Sequence, residues 1–486
     1  MIAQTTGPAG GWFDAGALLS RLTEWNAQLN ALVWGPPMLA LLMGVGVYVA
    51  LRTRFVQFSR FGLMCRETLG KIFRRGPRAE GDVTPFQAMT VAMGGTVGVG
   101  NIAGVATAIA MGGPGAVFWM LVSGLLGMGT KFAEVVLGLH YRRREPGGPM
   151  VGGPMTYIRH GMGPKWRWLA AVFCVFGALA ALGIGNMVQA NSVAEGMEHF
   201  RCPRWATGAV LVVAVGLVTV GGIRRIASVA MFCVPFMCIL YMLAAVAVIV
   251  TNAAQVPHAV ALIFRHAFTP TAATGGFAGA AVMATIRYGI ARGTFSNEAG
   301  MGSAPMAHAT AQTDHPARQG LWGIFEVFVD TIVMCSLTAL AILSTGVWTG
   351  GETGARLTMT AFGATFGTTL GSALVVLSMI LTAYDTNLAW CFYGETCAAY
   401  LLGHGRAVRS AYRLLWLPFI LLGALGELRT VWDVADTLNG LMAIPNLIAL
   451  LALGGVVVRL TRGFLAGEPY QPPADAEQAP QPPPPA

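Results

Sequence analysis

The sequence predicts an all-α polytopic membrane protein of about eleven spans, a 5+5 inverted repeat with discontinuous helices and one extra N-terminal helix. Three observations carry that reading. The 486 residues are 55% hydrophobic and only 11% charged, with a mean hydropathy of +0.61, where a soluble domain carries about 25% charged residues. Apolar runs of bilayer length recur along the chain between short arginine-rich turns. The second run is interrupted by Gly94-Gly95-Thr96-Val97-Gly98-Val99-Gly100-Asn101-Ile102-Ala103-Gly104, five glycines and an asparagine at membrane depth. Glycine weakens a helix and exposes backbone N–H and C=O groups that lipid cannot satisfy, so such a break implies a cavity or a ligand.

Residues 1–84 hold the first span, 32–51, and a basic loop with Arg52, Arg54, Arg60, Arg66, Lys71, Arg74, Arg75 and Arg78. The positive-inside rule places that loop in the cytoplasm, the N-terminus outside and the C-terminus inside. The first residues lack a basic stretch followed by a short apolar core, so no cleaved signal peptide is expected. Spans two to six follow at 85–111, 115–141, 168–194, 206–221 and 226–251; spans seven to eleven at 275–292, 320–343, 371–402, 412–425 and 434–458. Turns with Arg142-Arg143-Arg144, Arg224-Arg225, Arg406, Arg409 and Arg413, and Arg459 with Arg462 fall on the expected inner side. Loops 252–270 and 346–368 fall outside. The core, 85–460, divides into repeats at about 85–251 and 275–460 of opposite orientation. Gly275-Gly276, with Gly279 and Gly289 downstream, mark the expected second interruption. The proline-rich segment 467–486 has too little apolar content to fold and is expected to be a disordered cytoplasmic tail.

The net charge of +9 lies in the turns between spans, which argues against nucleic acid as a partner and for the lipid bilayer. The eight cysteines form no CxxC pair and the eight histidines no HExxH, so no metal site and no cofactor is expected. No GxxxxGK[ST] loop is present to couple the chain to a nucleotide.

At the first break, freed N–H groups around Gly98, Val99 and Gly100 suit a carboxylate, while carbonyls and the Asn101 amide oxygen suit a small hard cation. In span nine, Thr382, Asp385 and Thr386 share one helix face, with Trp390 a turn further on. An acid at mid-membrane marks a functional site, or else a carboxyl hydrogen-bonded to neighbouring hydroxyls. In span four, Asn186, Gln189 and Asn191 cannot all face lipid; they bind substrate or tie helices together. Glu326 and Asp330, four apart in span eight, read as a proton relay or, more simply, as partners of Arg287, Arg292 or Arg318; the run 295–301 reads as a gate or coupling loop, or its Glu298 as the cap of a helix N-terminus. An intramembrane enzyme would need a nucleophile with its base, or a metal cluster, at membrane depth; neither is found.

Four motifs, 95–114 (GTVGVGNIAGVATAIAMGGP), 152–158 (GGPMTYI), 185–192 (GNMVQANS) and 292–319 (RGTFSNEAGMGSAPMAHATAQTDHPARQ), resemble the alanine/glycine:cation symporter family, the sodium:alanine symporters. The resemblance covers about 85–460. It implies a leucine-transporter-type fold in a bacterial plasma (inner) membrane and inward symport of a small neutral amino acid with sodium by alternating access, by a monomer. It also implies substrate contacts at Gly98, Val99, Gly100, Asn101, Gln189 and Trp390. Sodium would meet Gly94, Val97, Thr382, Asp385 and Thr386, with Thr96 joining Asn101 at a second site. Two alternatives stand beside this reading: a proton-coupled amino acid symporter using Asp385, and a non-transporting amino acid sensor on the same scaffold.

Overall fold

The computed structural model describes residues 15–72, 79–145, 148–269, 278–426 and 428–473. Each apolar run read from the sequence is helical over most of its described residues. Among the described residues, eight helices are long and apolar enough to cross a bilayer alone: Thr23–Arg52, Gly115–His140, Pro164–Glu198, Gly222–Thr251, Pro316–Thr345, Thr368–Leu402, Arg406–Leu425 and Trp432–Ala466. The pair Pro85–Thr96 and Gly100–Gly112, bent by 46°, makes a ninth. Eleven is reached only by adding span five, Arg204–Thr219, which has 16 residues, and span seven, Ala278–Asn297, whose Arg287 and Arg292 lower its hydropathy.

Among the described residues, the second interruption is not at the glycines that pointed to it. Gly275 and Gly276 lie outside the described residues, and Gly279 and Gly289 sit inside the continuous helix Ala278–Asn297. A Cβ on Gly289 would fall 2.4 Å from the Ala116 carbonyl oxygen, so this glycine serves close packing with span three. The chain breaks instead just past Asn297. Glu298 (φ +54°), Gly300 (φ +90°) and Gly302 (φ +80°) take left-handed backbone before Ala304–His308 resumes the helix.

Side-chain contacts sort the bundle into two ends. At the arginine-rich end, Arg142 donates to the carbonyls of Glu80 (2.8 Å), Ala309 (3.1 Å) and Ala311 (2.6 Å). There Arg409 joins Glu145 (2.7 Å) to Glu395 (3.0 Å). The basic loop is partly helical (Val56–Ser59, Phe61–Glu67); Arg74, Arg75 and Arg78 lie outside the described residues. Burial pushes the Glu67 carboxyl up, yet Lys71 and Arg318 together hold it below the ordinary carboxylate value. At the opposite end, Asn30 donates to Thr437 Oγ1 (3.1 Å) and Trp119 to the Ala267 carbonyl (3.0 Å). Both loops expected there contain helices, Val256–His266 and Gly354–Phe366.

The tail is ordered further than its composition predicts. Residues 467–473 lack regular structure, but the Tyr470 hydroxyl lies 3.0 Å from His140 Nδ1. Burial pushes that hydroxyl up to about 12, so it stays neutral across the physiological range. Residues 474–486 lie outside the described residues.

The bundle interior holds charge as well as hydrocarbon. Lys131 of span three meets Glu326 of span eight at 3.2 Å, and Glu326 meets His308 Nε2 at 2.9 Å, all three fully buried. The expected pairing of Glu326 with a surface arginine does not occur: Arg318 joins Glu67 and Asp314, and Arg292 joins Asp436. Removing one buried partner strands the other charge, so Glu326→Gln is expected to destabilise the fold by about 3–5 kcal/mol. Thermal unfolding of the purified protein checks this, and Lys131→Met combined with Glu326→Met should recover most of the loss.

Candidate functional site

Three helices converge on the first break through its glycines. A Cβ on Gly98 would lie 2.9 Å from Thr386 Oγ1 and 3.4 Å from Gln189 Oε1; one on Gly100 would lie 3.1 Å from the Phe295 ring. One on Gly94 would lie 3.2 Å from Asp385 Cβ. Spans four, seven and nine therefore reach the unwound backbone of span two at distances only glycine permits. Pro85 starts the lower half behind a Thr84–Gln87 capping box, and Val97 ends it.

The freed backbone groups find side-chain partners. The Gly98 N–H donates to Asn101 Oδ1 (3.0 Å) and the Val99 N–H to Gln189 Oε1 (3.4 Å). The Gly94 carbonyl accepts from Thr386 Oγ1 (2.9 Å), which also reaches the Thr382 carbonyl (2.9 Å). Of the three amides in span four, Asn186 and Asn191 tie it to the carbonyls of Trp416 and Gly423, each at 2.8 Å, and Gln189 turns to the break. Widened π-turns lie in the break itself, Gly100–Gly104, and in spans four and eight beside it, Ala181–Met187 and Phe328–Cys335.

Asp385 is buried beside Gly94, and neither of its oxygens has a hydrogen-bond partner among the described residues. The neighbouring hydroxyls do not satisfy it: Thr382 donates to the Met379 carbonyl and Thr386 to the two carbonyls above. Thr96 donates to the Met93 carbonyl (3.2 Å), with no hydrogen bond to Asn101. Trp390 packs on Gly185, where a Cβ would lie 2.0 Å from the Trp390 Cβ, and its indole N–H donates to Glu298 Oε1 (2.8 Å). No side chain of Thr96, Val97, Val99, Asn101, Gln189, Thr382, Asp385, Thr386 or Trp390 is more than 2% exposed, so the protein is closed around this region.

Three acidic residues of this region were misread or missed in the sequence. Asp330 accepts from Asn101 Nδ2 (2.7 Å), Ser296 Oγ (3.0 Å) and Thr331 Oγ1 (2.7 Å), joining span eight to the break and to the end of span seven. Glu134 of span three accepts from the N–H groups of Gly300 (3.1 Å) and Gly302 (3.0 Å), the amides freed at the second interruption. Glu298 does not cap a helix; it sits in that interruption and bonds Trp390 and Ser303. Asp330 carried a signal, an acid far inside an apolar span. Glu134 lies among Gly127, Gly129 and Thr130 near the end of span three, where an acid reads equally well as an interfacial residue.

The arrangement offers amide donors and acceptors, a run of carbonyl and hydroxyl oxygens, and an unpartnered carboxylate in one water-poor enclosure. A family model described as the sodium:alanine symporter family matches residues 19–474. The chain belongs to the sodium:alanine symporter family. It is 43% identical over 446 residues to the sodium/alanine symporter AgcS of Methanococcus maripaludis, covering 90% of this chain and 96% of that one. It is 44% identical over 441 residues to an uncharacterized transporter of Haemophilus influenzae (90% and 95% covered) and 38% identical over 439 residues to the probable sodium/glutamine symporter GlnT of Bacillus subtilis (90% and 89%). A crystal structure of MhsT in complex with L-phenylalanine superposes with a TM-score of 0.56 at 15% identity, covering 79% of this chain and 90% of that one. That likeness establishes the fold, the leucine-transporter-type inverted repeat. This symporter is therefore a multi-pass membrane transport protein and not an enzyme, and the family's activity is amino acid symport.

In the symporter, Gly185→Ala would drive a methyl into Trp390, and a core overpacked this far loses about 1–3 kcal/mol or more. The expected result is at least a tenfold fall in substrate binding or a protein that does not accumulate in the membrane, read by ligand binding and by expression level. Gly44→Ala, where a Cβ meets nothing within 4 Å, should behave as wild type.

Proposed function

We propose that this protein is a secondary symporter that imports a small neutral amino acid, alanine or glycine, coupled to sodium by alternating access. The observation that carries the proposal is the juxtaposition of the freed Gly98 and Val99 amides with Asp385, a buried carboxylate that no side chain satisfies. A substrate carboxylate would take the positions at those amides that Asn101 Oδ1 and Gln189 Oε1 hold, with Gly100 lining the pocket and Trp390 walling it against larger side chains. The names of the relatives AgcS and GlnT support an amino acid as cargo and sodium as coupling ion. The closeness of the Trp390 wall favours the smaller cargo.

Sodium would sit among the carbonyls of Gly94 and Val97, the Thr382 and Thr386 oxygens and the Asp385 carboxylate. An ionised carboxylate held in a low-dielectric interior without a partner is strongly unfavourable, so Asp385 must meet a cation or carry a proton. That same observation supports the second reading, in which Asp385 binds the coupling proton. Thr96 with Asn101 would contribute to a second cation position. Residues 1–84 form the N-terminal segment, repeats at 85–251 and 275–460 the transporting core, and 467–486 the tail. The arginine-rich end faces the cytoplasm of a bacterial inner membrane, the N-terminus lies outside, and one chain is the working unit.

Purified protein in liposomes should concentrate labelled alanine or glycine when a sodium gradient is imposed, and Asp385→Ser should raise the sodium concentration for half-maximal uptake at least tenfold. Accumulation driven by a proton gradient and abolished in Asp385→Ser would establish proton coupling. Binding of alanine without accumulation under either gradient would make the protein a sensor and overturn the proposal.

A further inference from the structure

At the arginine-rich end, a cavity of about 420 Å³ opens between the start of Gly222–Thr251, the near part of Thr368–Leu402 and the first turns of Arg406–Leu425. Four arginines line it, Arg224, Arg406, Arg409 and Arg413, against two acids, Asp82 and Glu395. The acids are already matched. Glu395 accepts from Arg409 Nη1 (3.0 Å) and Arg413 Nη2 (2.9 Å), while Asp82 accepts from the Met150 N–H (2.6 Å) and lies 3.5 Å from Arg144 Nη1 and 3.6 Å from Arg224 Nη2, so Arg224 is partly engaged and Arg406 is the lining arginine with no ion pair among the described residues. Positive charge is left over.

Two independent features turn that charge toward a ligand. The Arg409 side chain is only 8% exposed, and its Nε has no partner among the described residues although Nη1 and Nη2 bind Glu395 and Glu145. A buried guanidinium N–H left unpaired is unfavourable, and an anion acceptor would relieve it. The 30-residue helix Gly222–Thr251 also begins at this cavity: Gly221, Gly222 and Ile223 line it, and no side chain caps the helix. Its first N–H groups and the positive end of its dipole are thus available to an acceptor. Arg224 and Arg406, both exposed, flank the opening.

We propose that this cavity is an anion site for a phosphate group, gripped by the Gly222–Thr251 N-terminus and Arg409 Nε and flanked by Arg224 and Arg406. Its place at the end of the bundle admits two sources of that chemistry, an anionic lipid headgroup or free phosphate. A bound phosphate would clamp the turn before span six to span ten, which already touch through Arg413 Nη1 and the Val220 carbonyl (3.3 Å). The site is separate from the region around Gly98 and Asp385, and the inference stands whichever ion drives transport.

The test is thermal unfolding of the full-length protein in uncharged detergent, titrated separately with phosphatidylglycerol, phosphatidylcholine and inorganic phosphate. Saturable stabilisation by phosphatidylglycerol but not phosphatidylcholine identifies a lipid headgroup; stabilisation by inorganic phosphate identifies a soluble anion. In the double variant Arg224→Gln with Arg406→Gln the half-saturating concentration should rise about tenfold, the loss of charge-assisted contacts. Arg406→Gln alone, at an exposed position, gives a smaller rise and guards against a double variant that fails to fold. Arg265→Gln, at the opposite end, should leave the titration unchanged. The proposal is overturned if neither phosphate source stabilises the protein, or if Arg406→Gln and the double variant titrate like wild type.

Discussion

The structure depends on how the backbone groups freed at two helix breaks are satisfied where there is no water. In a bilayer core each unpaired N–H or C=O is worth several kcal/mol, so a broken helix persists only if other elements supply partners. Here Asn101 and Gln189 supply them to the first break, Thr386 anchors the carbonyl below it, and Glu134 receives two amides of the second. Asn101 belongs to the break itself, but the other contacts each come from a different helix, so the two breaks dictate how spans three, four and nine must pack. The glycines follow from the same requirement, since a side chain at Gly98 or Gly100 would push those helices away.

This explains which parts of the fold were legible in the sequence. Composition and the spacing of apolar runs give the helices, because lipid tests every residue of a span in the same way. The first break was legible because its partners sit close by in sequence or carry polar side chains rare at that depth, such as Asn101 and Gln189. The second was misplaced because two kinds of glycine look alike in a sequence. Gly289 is there for packing against Ala116, while Gly300 and Gly302 are there for their backbone angles. Only the left-handed conformation at Glu298 and its glycine neighbours distinguishes them, and no local pattern states it. The buried acids were misassigned for a related reason. Glu326 was matched to arginines, but its partners Lys131 and His308 come from segments whose proximity only the packed bundle reveals.

The charges inside the bundle serve a different purpose from those at its ends. Arg409 with Glu145 and Glu395 lies at the arginine-rich end, and it fastens the short hairpin Arg143–Arg144 and Met150–Val151 near spans nine and ten. Lys131 with Glu326 and His308 is sealed from solvent and adds little net stability over hydrocarbon of the same shape. What such a triad adds is discrimination: spans three and eight fit together in one register, because any other would strand a charge. The break at Glu298 and Gly300 lies on the same side of span three as this triad's neighbour Glu134, so the register also fixes where the second break is held.

The helix Gly354–Phe366 has a consequence of its own. It is fastened to span nine through a glycine contact, where a Cβ on Gly371 would lie 2.5 Å from the Gly363 nitrogen, yet it touches the first break through one hydrogen bond, from Thr358 Oγ1 to the Ile102 carbonyl (3.0 Å). The two attachments differ in kind. The first is a tight steric fit along a hairpin, and the second is packing that carries a hydrogen bond to backbone already released from regular helix geometry. If the protein opens at this end, the parting line runs between Thr358 and Ile102, and the helix stays with span nine like a door leaf on its frame.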